Sequence, residues 1–199
     1  MLLLVSGATK TPRDANVGHF IVPKQWNTTL DLQPGRWAMD NGAFTGFNEG
    51  AFMRMLERFH DRLGCLFVTA PDVVEDAAST LARWPFWSRV IRGLNLPVAF
   101  VGQDGLTPDR VPWDEMQALF IGGSTSWKVG PEARSLCAFA KARGLWVHWG
   151  RVNGRVRYRQ AVEAGADSMD GRSFSIAPDI NIPLVQEWED DRQRTPRLV

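Results

Sequence analysis

Acidic and amide side chains close a series of apolar runs in this chain. Asp40 closes WAMD and opens DNGAF, Asp72 closes FVTAPD, Gln103 and Asp104 close PVAFVGQD, and Asp170 closes SMD just before Gly171. Each run reads as a buried strand. Parallel strands that end in functional groups bring those groups to one face of a sheet or barrel, where α/β enzymes build their active sites. Carboxylates converging on one pocket can supply a nucleophile and a general acid/base to a glycosidic bond.

The elements that must position these groups alternate along the chain. Met1 to Val5 reads as a first strand, followed by the loop SGATKTP. Residues 9–35 show no sustained periodicity, although GHFIVP has the makings of a short strand. Arg36 to Asp40 forms the next strand. Over residues 49–63, Phe52, Leu56, Phe59 and Leu63 recur at helical spacing, with Gly64 as the stop. Strands follow at Cys65–Ala70, VAFVG, Ala118–Ile121, Leu145–Trp149 and Asp167–Asp170. Helices are expected at residues 74–93, 131–143 and 153–164, with a kink or a break at Pro85. Residues 183–190 suit a closing helix, and residues 185–199 are expected to form a flexible tail. Roughly seven strands alternating with helices define a parallel α/β fold. A compact, irregular, trimmed (β/α)8 or TIM-like barrel in a single domain over residues 1–199 is the first expectation, and an open doubly wound sheet the second.

Composition narrows the function classes. The 199 residues allow one domain with a substantial core, yet fall short of the about 250 of an ordinary barrel. A net charge of +1 excludes a global field toward nucleic acid or membrane, so any such surface must be a local patch. Cys65 and Cys137 show no CxxC spacing, which excludes a cysteine-rich zinc site and leaves no disulfide framework. A reducing cytoplasm fits best. The opening MLLLV is shorter than a signal h-region or a spanning helix. No GxGxxG loop or Walker A sequence marks a nucleotide fold. The nine tryptophans are core candidates, while Trp37, Trp127, Trp146 and Trp149 lie close enough to the strand ends to include a base-stacking residue.

With these strand ends in hand, the chain resembles the queuine/guanine transglycosylases, closest to the short phage and bacterial members that place 7-deazaguanines in DNA (the DpdA type). The resemblance runs from about residue 36 to residue 175 and its pieces occur in family order. WAMDNGAF at 37–44 is similar to the family's Asp-Ser-Gly-Gly-Phe segment, and APD at 70–72 sits where the family has a base-reading Asp. FVGQDG at 100–105 resembles the Val-Gln-Gly segment, and FIGGSTSWK at 120–128 resembles the Gly-Gly segment that meets the base through backbone. HWGRVNGRVRYRQAVEAGADSMDG at 148–171 is similar to the stretch that leads to the nucleophilic Asp. The tRNA enzymes of the family carry a zinc site of three cysteines and a histidine near the C-terminus. Here no cysteine follows Cys137, so the zinc subdomain is missing and the expected substrate shifts from tRNA to DNA.

The resemblance implies a role for each group. Asp170 would be the nucleophile: attack on C1′ releases guanine and leaves a covalent glycosyl-enzyme, from which a free 7-deazaguanine (7-cyano-7-deazaguanine or a relative) takes the sugar. Taken without the resemblance, Asp170 reads equally well as a strand-end acid capping the turn at Gly171. Asp40 would be the general acid/base, a role compatible with the Asx-turn that Asp-Asn-Gly favours. Asp72 and Gln103 would read the purine edge, with Gly122 and Gly123 admitting the base to their backbone. Asp72 reads alternatively as the N-cap of the helix after it. Phe44 is a base-stacking candidate or a core residue. Lys128, Arg151, Arg155, Arg159 and Arg172 would hold phosphates, with residues 151, 155 and 159 on one helical face; a solvated helix face is the plainer reading of that run. His148 is more readily a hydrogen-bonded core histidine than a metal ligand, and neither a metal nor a cofactor is expected.

The same residues serve a second reading, a nucleoside hydrolase or base-excising glycosylase in which water replaces the incoming base. A non-catalytic barrel that binds nucleic acid or a modified base is a third, and a metal-dependent hydrolase a fourth. A duplex substrate would require the target nucleotide to flip into the pocket. The expected setting is the cytoplasm, that of the host if the chain is phage-encoded.

Overall fold

Eight short parallel strands close on themselves in sequence order, β1-β2-β3-β4-β5-β6-β7-β8, in a computed structural model that describes residues 1–7, 16–24 and 35–194. The strands are β1 Leu2–Val5, β2 Val17–Ile21, β3 Trp37–Met39, β4 Cys65–Thr69, β5 Val98–Gly102, β6 Ala118–Ile121, β7 Trp146–Trp149 and β8 Ser168–Asp170. The ring closes where Leu2, Leu3 and Leu4 pair with Ser168, Met169 and Asp170. The GHFIVP segment supplies β2, the strand that completes the barrel. The fold is thus an α/β single domain built on a TIM-like barrel.

Both faces of every strand are buried, which explains the unbroken apolar runs. One alternating set points inward: Leu2, Leu4, Phe20, Ala38, Phe67, Ala99 and Ala118, with Phe120 and Trp146 packed on them. Large rings beside alanines let a narrow barrel fill its own interior. The other set, including Leu3, Ile21, Trp37, Met39, Val68, Phe100, Leu119, Val147 and Met169, meets the helices.

The helical layer is α1 Glu49–Phe59, α2 Ala77–Gly93, α3 Thr125–Lys128, α4 Pro131–Ala142, α5 Arg155–Glu163, α6 Arg172–Ile176 and α7 Pro178–Arg194. Between β5 and β6 only two single 3-10 turns replace a helix, one of the economies that fit the barrel into 199 residues. No helix among the described residues is long and apolar enough to cross a membrane.

Three expectations are corrected. Helix α1 ends at Phe59, and Leu63, expected on its buried face, is 90% exposed. Helix α2 runs through Pro85 undivided, which removes the break though not the kink expected there; Trp84 and Trp87 on either side are buried, and such burial offsets the roughly 3 kcal/mol that an interior proline costs. Residues 185–194 are helical rather than a flexible tail, because α7 packs Val185 and Trp188 against the core. Trp188 meets Tyr158 and Phe174, and the Tyr158 hydroxyl donates to Glu189. Residues 195–199 lie outside the described residues, as do residues 8–15 and 25–34.

Candidate active site

The C-terminal ends of the strands carry two hydrogen-bonded networks. The first joins β3, β4 and β5. Asp72 lies two residues beyond Ala70 and is 6% exposed. Its Oδ1 accepts from Asn41 Nδ2 at 2.7 Å, and its Oδ2 accepts from Gln103 Nε2 at 2.6 Å. Asn41 also donates to the Ala70 carbonyl at 2.8 Å, so the β3 loop is tied to the end of β4. Gln103 Oε1 in turn accepts from the backbone N–H groups of Glu75 and Gly123, each at 2.8 Å. Burial pushes the Asp72 carboxyl above its ordinary range, while the Asn41 and Gln103 bonds pull it back. The predicted recognition pair is therefore bonded together. Helix α2 is capped by Asp76, whose side chain accepts from Ser79, so Asp72 is not its N-cap.

The second network joins β7 and β8. Asp170 Oδ1 accepts from His148 Nε2 at 3.1 Å and from the Arg151 backbone N–H at 3.0 Å. The Asp170 side chain is 20% exposed and His148 not at all, so only the carboxylate can reach a ligand. Gly171 follows where a side chain has no room: a Cβ there would lie 2.2 Å from the Val152 carbonyl. The Asp170 side chain bonds to His148 and Arg151 and, among the described residues, not to the turn at Gly171, which removes the reading of it as the acid capping that turn.

Asp40 stands at the end of β3 with its Oδ1 accepting weakly from Gly42 N–H at 3.3 Å, an Asx-turn. Burial, then the charge of Asp170, raises its carboxyl to about 7, with Asp72 adding to the effect and the Gly42 bond opposing it. Asp40 thus feels the charge of Asp170, the other acid expected to take part in catalysis.

Backbone strain is concentrated here. Glu75, Asn95 and Arg151 are the non-glycine residues with positive φ among the described residues, at 62°, 58° and 61°. Asn95 follows the end of α2, where Asn is at home in the left-handed region. Glu75 and Arg151 belong to the site: the N–H of one serves Gln103 and that of the other Asp170. Left-handed backbone costs an ordinary residue roughly 1–2 kcal/mol, and such costs cluster where geometry serves function. Sequence gives no sign of Glu75, and it marks Arg151 only as a phosphate-holding cation; the left-handed backbone of both is hidden, since neither is Gly or Asn. Asn41 was legible only as a turn residue.

The remaining predicted residues divide. Phe44 is not core: it is 65% exposed, with the Arg151 guanidinium 4.8 Å from its ring centre. The Arg151 guanidinium also donates to the Gly123 carbonyl. Gly122 and Gly123 are close-approach glycines, but protein atoms take the space. A Cβ on Gly122 would lie 2.8 Å from Gln103 Nε2, and one on Gly123 2.5 Å from the Trp127 ring. The Gly123 N–H is already given to Gln103. Of the tryptophans near the site, Trp37 and Trp149 are buried in the core, Trp146 points into the barrel, and Trp127 is half-buried with its ring against Gly123; Phe44 is the more exposed stacking candidate.

The basic run does not form one helical face. Arg151 lies in the β7–α5 loop, ahead of the helix. Arg155 pairs with Asp191 of α7 at 2.6 Å. Arg159 sits one turn further along α5, half-buried. Lys128 is 5% exposed and donates to the Gly150 carbonyl at 2.6 Å, beside a cavity of about 10 Å³ that is water-sized. Burial and the neighbouring Arg151 bring its amine down to about 7. Lys128 is thus a buried residue and no surface clamp. Arg172 opens α6, exposed and adjacent in sequence to Gly171.

Among the described residues no group of three or more His, Cys, Asp or Glu is arranged to hold a metal. Cys65 and Cys137 are free thiols pushed by burial to about 12, which makes them poor nucleophiles. No protein-family model matches the chain, and no curated protein matches it.

Proposed function

We propose that this protein is a DNA-guanine transglycosylase that exchanges guanine for a 7-deazaguanine through a covalent Asp170 glycosyl intermediate. The observation that carries the reading is that an oriented, partly open carboxylate, Asp170, and a second carboxyl, Asp40, stand at strand ends of one barrel mouth. Asp170 is oriented by two N–H donors and partly exposed, while Asp40 holds its proton near neutral pH largely because it is buried near that charge. One carboxylate ready to attack and one carboxyl ready to give and retake a proton are what base exchange needs. In the Asp72–Gln103 pair, 6% and 2% exposed, Asp72 keeps lone pairs and Gln103 a second N–H for a purine edge that would have to part the loops over them. The exposed Phe44 and its Arg151 neighbour offer a stacking face for a flipped base.

The test is incubation of the purified protein with guanine-containing duplex and single-stranded DNA and radiolabelled 7-cyano-7-deazaguanine. Exchange is expected to put label into DNA and release guanine one for one. Guanine release with no label incorporated would replace transfer with hydrolysis, and neither event on either DNA would remove the reading.

A further inference from the structure

The carboxylate at Asp170 is the top of a chain of hydrogen bonds that descends into the barrel. Trp146 and His148 alternate on β7, and Ser168 and Asp170 alternate on β8; the strands are neighbours, with His148 in register with Ser168. All four side chains therefore point the same way, into the interior. The Trp146 indole donates to Ser168 Oγ at 2.8 Å, Ser168 Oγ lies 2.8 Å from His148 Nδ1, and His148 Nε2 lies 3.1 Å from Asp170 Oδ1. The imidazole is sealed by Phe120, Phe67 and Phe20, with ring centres 4.6, 5.2 and 5.5 Å away.

The direction of this chain follows from what each group can do. An indole N–H only donates, so Ser168 Oγ accepts there and its one proton is available to His148. Trp146 and His148 are the only partners of Ser168 among the described residues. Nδ1 therefore accepts, and the proton of the neutral ring sits on Nε2, aimed at Asp170. Full burial disfavours the imidazolium and keeps the ring neutral. Asp170 Oδ1 receives both this N–H and that of Arg151, whereas Oδ2 has no hydrogen-bond partner among the described residues.

Resting on the transglycosylase reading of this site, we infer that His148 is a positioning residue, fixed as the Nε2–H tautomer by Ser168 and Trp146, which tethers Asp170 Oδ1 so that Oδ2 is the attacking atom. In that step the Oδ2–C1′ bond forms as the glycosidic C–N bond breaks. The electron pair leaves on guanine, which takes the proton of Asp40, and no further reactant is required. A neutral donor orients the carboxylate without cancelling its charge, and the aromatic collar keeps water from the imidazole that makes the tether.

Two measurements test this, one of them independent of turnover. In protein labelled with 15N-histidine, the His148 signals, identified by their loss in His148→Gln, are expected to show a protonated Nε2 and a bare Nδ1. The Nε2–H signal is expected to move in Asp170→Asn. A protonated Nδ1, an imidazolium at neutral pH, or no response to Asp170→Asn would overturn the tether. In the exchange assay, His148→Gln keeps an N–H toward Asp170, whereas His148→Leu removes it. Leucine is expected to lower kcat roughly 10- to 100-fold, the range for losing a group that orients a reacting one, with KM for DNA unchanged, and glutamine to recover most of the loss. Ser168→Ala, a small deletion that spares the fold if Leu does not, is expected to lower kcat by about 10-fold and to mix the two tautomers. Unchanged kcat in folded His148→Leu or in Ser168→Ala would overturn the positioning role. If wild-type protein neither exchanges nor releases guanine, the transglycosylase reading falls, and the labelled-histidine spectra still decide the tether.

Discussion

Asp72 and Asp170 close strands of the same barrel, yet they are held by different means. Asp72 has both oxygens engaged by neutral amides, from Asn41 and Gln103, and is almost fully buried. Asp170 has one oxygen engaged twice, by His148 and Arg151, and is open on the other side. A carboxylate satisfied on both oxygens is a rigid template, suited to reading a ligand that brings its own donors. A carboxylate pinned by one oxygen is aimed, with its second oxygen left to react. The partners match these tasks. Loops from three strands converge to lock Asp72, so its geometry depends on all three. Asp170 is held by groups of its own strand pair and the loop after β7, so it can be altered without disturbing the Asp72 network.

The largest effect should come from the aimed acid. Asp170→Asn is expected to lower exchange by about 10³-fold or more, because an amide oxygen is a poor nucleophile at C1′. Binding of the free base and the melting temperature should change little, since an Asn oxygen can still accept from His148 and Arg151. Calorimetric titration of the base beside a turnover assay checks both halves. Full exchange in Asp170→Asn, or loss of base binding with it, would collapse the distinction between the two acids.

Asp40 gives the second effect, and it has a pH signature. For kcat/KM with DNA, the form that protonates departing guanine is the acid, so the rate is expected to fall as pH rises through about 7. Asp40→Asn should lose roughly 100-fold and flatten that limb. Stability runs in the same direction. Between the ordinary value of 3.8 and about 7, the folded chain keeps a proton that the unfolded chain has released, so stability falls as pH rises across this window. Relative to wild type, Asp40→Asn should therefore gain a few kcal/mol at most at pH 8 and nothing at pH 4. Urea melts at the two pH values measure it. A gain that is larger at pH 4 would contradict the raised carboxyl.

Third is the locked acid. Asp72→Asn sets an NH2 group against Asn41 or against Gln103, so one amide must flip. A flipped Gln103 would confront the Glu75 and Gly123 N–H groups with its own. We expect a rise in KM for the base of about 10- to 100-fold, the 1–3 kcal/mol of an unmatched buried polar group, a melting temperature lower by several degrees, and a smaller change in kcat. A kcat loss with KM unchanged would give Asp72 the same task as Asp170.

The difference between the halves also explains what could be read from sequence. Strand ends were legible because short apolar runs terminate in polar residues, and a parallel barrel brings such ends to one face. The pairing partners were not. Asn41 is two residues from Ala43, and its Oδ1 accepts from that N–H at 2.7 Å, so the turn is real; nothing local reveals that its Nδ2 crosses to Asp72. His148 facing Ser168 depends on register between strands separated by α5, although the spacing Trp146/His148 and Ser168/Asp170 was a usable sign that all four share one face. Glu75 was invisible, and Arg151 was selected for its side chain and not for its backbone N–H, because positive φ at these residue types is imposed by tertiary contacts. The basic run misled because Arg155 has a partner 36 positions later, on a helix that read partly as tail.

The smallest effects concern that run, and they separate a residue engaged within the protein from one left for a ligand. Each phosphate contact removed should lower the slope of log affinity against log salt by about 0.9 for duplex DNA. Arg172 opens α6, is exposed, and lies two residues after Asp170, so Arg172→Ala is expected to reduce the slope by about that amount. Arg155 is bound to Asp191 and helps dock α7, so Arg155→Ala should leave the salt slope alone and lower stability by about 0.2–1 kcal/mol, the range for an exposed pair. Affinity for a fluorescent oligonucleotide, measured across a salt series with both variants, distinguishes them. If Arg155→Ala lowers the slope and Arg172→Ala does not, DNA would have to break the Arg155–Asp191 pair as it binds, and α7 would then belong to the DNA-binding surface instead of serving only as its support.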